Sequence, residues 1–147
     1  MLRSKLLHPG ILQALAEAGH GSTVLISDGN FPHGTAPLPS ARRVYLNLSP
    51  GKVLVTDVLD AIVPVVPIES AVLMASGSAV APEAHAAIRS FLPEATPVEV
   101  IDRFAFYEAT RSPNLALIIA TADPRLCACV LLTIGVVDAS GSMSTGA

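Results

Sequence analysis

The apolar positions of this chain switch between a helical spacing and short continuous runs, and the elements they predict follow one another in the order of an α/β domain. Ile11, Leu12, Leu15 and Ala16 share one face, Pro9 suits the first turn and Gly19 stands where a helix stops, which predicts a helix over 9–18. The run Thr23-Val-Leu-Ile-Ser27, bounded by Gly21 and by Asp28-Gly29, predicts a buried strand. Positions 28–40 are rich in Gly and Pro, too broken for an element, and read as a loop that serves as a lid or an interface. Strands are expected at 43–48 and 52–55, with Thr56 as the N-cap of a helix over 57–63 that Pro64 and Pro67 end. A strand at 71–75, a helix at 82–92, a strand at 98–101 and a helix at 103–110 capped by Asp102 come next. Two β-rich runs, 115–121 and 126–134, flank the turn signal Asp123-Pro124 and are expected to pair as a closing hairpin. The pattern predicts a single α/β domain with a mixed β-sheet flanked by helices. Positions 138–147 carry no apolar pattern and are expected to be a disordered tail, leaving 1–137 as the domain.

Composition narrows the partners. With 147 residues, 51% hydrophobic, the chain fits one domain with a sizeable core. A net charge of -3 with no basic run leaves no electrostatic footprint for nucleic acid or an anionic membrane. No stretch reaches the roughly 18 apolar residues of a membrane span, and His8, Pro9, Gln13 and Glu17 interrupt any signal-like core. Two cysteines, two positions apart, make no disulfide framework and suit a reducing cytoplasm. A mean hydropathy of +0.57 is high for a monomer, so an oligomer is expected.

The candidate chemistry gathers between Gly19 and His33. His20 lies between two glycines, and imidazole is the side chain best suited to exchange protons near neutral pH; it reads as a proton carrier or as a C-capping histidine at a helix end. Asp28, Asn30 and His33 fall just past a strand end, where ligands bind in open α/β sheets. Asp28 either holds hydroxyls or forms an Asp-Gly turn. A fully extended path from His20 to Asp28 would separate them by up to about 26 Å, so either the chain folds back or two subunits share a site. Arg103 opens a helix against its dipole; it is either paired with Asp102 or Glu108, or is a fork of donors for the oxygens of a ligand, with Tyr107 one turn on. Phe104 and Phe106 read as packing. His85, in an Ala-rich helix, is expected to be exposed, and His8 to neighbour an N-cap. Neither metal-ligand spacing nor a phosphate loop is present, so no metal or cofactor is expected.

His8-Pro9, Gly19-His20-Gly21, Asp28-Gly-Asn-Phe-Pro32 and Arg103-Phe-Ala-Phe-Tyr-Glu108, in this order and spacing, resemble the L-fucose mutarotase and D-ribose pyranase family (RbsD/FucU) over about 6–136. The last block is more similar to the fucose branch. The resemblance implies an RbsD-like fold in rings of subunits stacked as a decamer, and a cofactor-free mutarotase acting on a monosaccharide such as L-fucose. It implies His20 as the catalytic residue, Asp28 and Arg103 as sugar ligands, and Asn30 and Tyr107 beside them. One departure stands out: relatives carry Tyr and Asn where this chain has Cys127 and Cys129. Their spacing places both thiols on one strand face toward the site. They read as small packed hydrophobes, with metal and redox roles weaker alternatives, and as a change in sugar recognition. The rival reading is a sugar-binding or regulatory protein that keeps the pocket without catalysis.

Overall fold

The structure is a computed structural model and describes residues 2–78 and 82–142. Its pivot is β1 (Thr23–Ser27), the five-residue run TVLIS, which is buried from Val24 on. Around it the sheet is built from β2 (Arg42–Tyr45), β3 (Ile68–Met74), β4 (Val98–Ile101), β5 (Leu115–Ala120) and β6 (Val130–Ile134), in the order β2-β5-β1-β6-β3-β4. β1 and β2 both run parallel to β5, and β3 runs parallel to β4. β6 lies antiparallel between β1 and β3.

Both faces of the central strands are apolar because both are covered. Val24 and Ile26, Leu117 and Ile119, and Val130 and Leu132 face one core with α1 (Pro9–Glu17), α2 (Val55–Ile62) and α3 (Glu83–Phe91). The alternate residues Leu25, Ile118 and Leu131 face a second core, closed by Phe106 of α4 (Arg103–Ala109) and by Phe31, Ala36 and Ala41 of the connection after β1. That connection takes the place of a helix in the outer layer.

The expected mixed sheet flanked by helices is what the chain forms, with local corrections. The runs after Leu115 do not make a hairpin. β1 sits between β5 and β6, and residues 121–129 cross over its end. A tight turn at Asp123-Pro124 is prevented because Asp123 is fully buried, its carboxylate bonded to Arg125 Nε and Nη2 and to the Val55 N–H. No strand forms at 52–55. Gly51 and Val53 take φ of 76° and 60°, which turns the chain straight into α2. The N-cap of α2 is Leu54, not Thr56; the Asp57 carboxylate accepts the Leu54 N–H at 2.7 Å.

His8 is itself the N-cap of α1, its Nδ1 accepting the Ile11 N–H. His85 is buried rather than exposed, because it lies on the inner face of α3 and its Nε2 bonds the Met74 carbonyl at 3.0 Å. Past β6, Asp138 closes a turn by accepting the N–H groups of Ser140 and Ser142. Residues 143–147 of the expected tail lie outside the described residues.

Candidate functional site

Topology sorts the candidate residues between the two edges of the sheet. Asp28 directly follows β1, and Arg103 and Tyr107 lie on α4, which directly follows β4. Cys127 and Cys129 precede β6, which is antiparallel, so they reach the same edge as Asp28 and Arg103. His20 precedes β1 and lies at the opposite edge, where Gly21 N–H bonds the Ile134 carbonyl at the far end of β6. The five residues of β1 alone span about 16 Å at roughly 3.3 Å per residue. The chain does not fold back: His20 and Asp28 of one chain stand at opposite ends of the strand.

At the first edge Asp28 is buried, 2% exposed. Its Oδ1 accepts the Asn30 N–H at 2.8 Å, so it does shape the turn, and its Oδ2 accepts the Cys129 thiol at 3.4 Å. Burial raises its carboxyl above the ordinary aspartate value; the Asn30 and Phe31 N–H groups and the Cys129 thiol pull the other way, and the charge of Asp123 adds to the rise. A raised carboxyl binds its proton more tightly folded than unfolded. Asp28 therefore costs stability progressively as pH climbs from 3.8 through its folded value.

Arg103 is left free by its neighbours. The Asp102 carboxylate caps α4 through the Phe104 and Ala105 N–H groups, at 2.8 and 3.1 Å, and Glu108 pairs with Arg111. The guanidinium lies 4.9 Å over the Phe104 ring and, among the described residues, takes no carboxylate. Tyr107 packs edge-on to Phe31 at 5.5 Å, and Phe106 is fully buried.

The thiols do not share a strand face. Cys127 sits before β6 at φ 57°, a conformation no strand admits, with its Sγ directed at the Ala75 carbonyl at 3.7 Å. Burial and the Asp28 carboxylate raise the Cys127 thiol, while Arg103 lowers it. Burial and Asp28 push the Cys129 thiol well above the ordinary cysteine value. Both stay protonated at neutral pH, as packed thiols rather than nucleophiles. His33 forms part of the wall: its ring lies 5.7 Å from Phe31 and 6.4 Å from Tyr45, and burial lowers its basicity against the opposing charge of Asp28. On the side of β2 and β5 an open cleft of about 490 Å³ adjoins this edge, lined by Asn30, Asn47, Ser49 and Pro124 among others. That volume is in the range of small-molecule sites.

At the opposite edge sequence reasoning missed a partner. His20 Nε2 lies 2.8 Å from Glu69 Oε2, both side chains about half exposed. Gly21, at φ 78°, gives the turn that presents the imidazole. Gly135 leaves room for Glu69, since a Cβ there would lie 3.3 Å from the Glu69 Cβ. The only signal in the sequence is an acid at the second position of a strand whose other residues are uncharged.

Residues 1–137 match the profile of the RbsD / FucU transport protein family. Among solved structures, FucU from Bifidobacterium longum is 30% identical, with 89% of this chain and 95% of that one covered and a TM-score of 0.71. Fucose mutarotase from Streptococcus pneumoniae in complex with L-fucose is 23% identical, over 94% of this chain and 100% of that one, at a TM-score of 0.78. RbsD from Bacillus subtilis complexed with D-ribose is 20% identical over the same shares, at a TM-score of 0.80.

Proposed function

The chain belongs to the RbsD / FucU transport protein family, and from that premise we propose that it is a cofactor-independent mutarotase, interconverting the anomers of a free monosaccharide related to L-fucose or D-ribose. The observation that carries the reading is the placement, at the same end of the sheet, of a buried carboxylate, Asp28, and a guanidinium, Arg103, that has no carboxylate partner among the described residues. An acceptor and a fork of donors converging on one edge suit vicinal sugar hydroxyls.

Mutarotation needs a base to take the proton of the anomeric hydroxyl while an acid protonates the ring oxygen, and the reverse on closure. His20 supplies one of these proton carriers and water or a carboxylate the other, the roles exchanging on closure. Glu69 holds its Nε2 and orients the ring, which leaves Nδ1 for the sugar. Asp28 and Arg103 orient the hydroxyls, Asn30 and Tyr107 border them, and the thiols of Cys127 and Cys129 offer weaker hydrogen bonds than oxygen or nitrogen groups would. Since His20 and Asp28 of one chain stand at opposite edges, a complete site takes His20 from one subunit and Asp28 from its neighbour. The exposed apolar side chains Leu48, Phe104 and Leu126, at 86%, 69% and 72%, supply a surface for that association in a ring-type homo-oligomer.

Saturation-transfer NMR on a panel of aldoses tests the activity. Anomeric exchange above the buffer rate is expected for L-fucose, D-ribose or a close relative. Ligand-dependent thermal stabilisation without exchange would instead favour a sugar-binding protein, and neither effect would remove the sugar reading.

A further inference from the structure

We infer that Arg43, on β2, is a positioning residue for the Asp28 edge, acting by fixing the Pro-rich connection after β1. The sequence creates the need. Pro32, Pro37 and Pro39 have no N–H, so this segment lacks the donors of a regular ladder and most of its carbonyls must find partners elsewhere. One guanidinium answers it. Arg43 Nε donates to the His33 carbonyl at 3.0 Å, Nη1 to Ala41 at 2.9 Å and Pro39 at 3.5 Å, and Nη2 to Pro37 and Leu38, both at 3.1 Å. Five donors in a planar fork meet five carbonyls, a match that a lysine ammonium with three donors cannot reproduce.

The clamp transmits to the site through packed rings. Tyr45 stands two residues along β2 on the same face as Arg43, and edges the His33 ring. His33 lies against Phe31, and Phe31 against Phe106 and Tyr107 of α4 at 6.4 and 5.5 Å. Arg111, just past α4, ties the same segment from the other side through the Ala36 carbonyl at 3.2 Å. The segment is thereby bound to β2 and to α4 at once. Its first turn carries Asp28 and Asn30.

The inference rests on the sugar-site reading only for which ligand feels the change, and its first readout needs no ligand. In Arg43→Lys, hydrogen exchange followed by mass spectrometry is expected to quicken about 10-fold or more across 33–41 and also at the Asn30 and Phe31 amides, which bond Asp28. The thermal midpoint should move by only a few degrees, since the three-helix core is untouched. With an exchanging sugar, KM should rise about 10-fold with kcat changed far less, as a loosened binding edge that leaves the proton carrier in place requires. Unchanged protection across 33–41 would overturn the clamp. Faster exchange there with Asn30 and Phe31 still protected would overturn its action on the site. A wild-type protein that exchanges no aldose would remove the mutarotase reading and leave both amide outcomes decisive.

Discussion

His20→Asn is expected to slow anomeric exchange by about 10²- to 10⁴-fold, the usual worth of a positioned proton carrier. The fold should be spared. The imidazole is about half exposed, and an exposed pair of this kind contributes about 0–1 kcal/mol. Circular dichroism and thermal midpoint should therefore match the wild type while saturation transfer collapses toward the uncatalysed rate. Glu69→Gln keeps a hydrogen-bonding group beside Nε2 but orients the ring through a weaker, neutral bond, so a smaller loss, about 10-fold, is expected from it. A His20→Asn protein with undiminished exchange would reduce this histidine to a surface partner of Glu69; the C-cap of α1 is Ala18.

Asp123→Ala is expected to cost the most stability of any single substitution at this edge, about 3 kcal/mol in chemical denaturation. The Asp123 carboxylate is fully buried and bonded to Arg125 at 2.9 and 2.6 Å. It also accepts the Val55 N–H at the start of α2, and its own carbonyl accepts the Gly29 N–H beside Asp28. Removing one partner of a buried pair strands the other charge, a loss of about 3–5 kcal/mol; Arg125 retains some access to water, which points to the lower figure.

The pH dependence separates the two aspartates. Burial works to raise the Asp123 carboxyl, but the Arg125 and backbone bonds outweigh it and hold the group below its ordinary value. Its contribution is present above 3.8 and is lost as pH falls through the lower folded value, the opposite sign to Asp28. A loss under 1 kcal/mol for Asp123→Ala would contradict this account of the pair.

The sheet was legible because its central strands are apolar on both faces. Thr23 to Ser27 reads as a strand from five residues, and Asp28 reads as a ligand position because it follows that strand. The helix over 9–18 and the cap at Asp102 were equally local. Strand order was not local. Asp123-Pro124 looks like a hairpin turn until Arg125 and Val55, one of them 68 positions away, bury the aspartate. Glu69 could not be matched to His20 across 49 residues, and Arg103 reads as a candidate for pairing until Asp102 is seen capping and Glu108 pairing elsewhere. The left-handed turn at Cys127 has no sequence signal, since neither glycine nor asparagine marks it.

The account depends most on a site completed between subunits, and complementation tests that directly. His20→Asn and Asp28→Asn subunits, each inactive as homo-oligomers, are co-expressed with different tags, the mixed oligomers purified through both, and exchange measured by saturation transfer. Asp28→Asn should fold at least as well as the wild type, since it removes a buried charge that costs stability at neutral pH. If His20 of one subunit serves Asp28 of the next, random assembly leaves about a quarter of the sites intact, and that share of wild-type exchange is expected to return. Mixed oligomers as inactive as their parents would contradict the shared site.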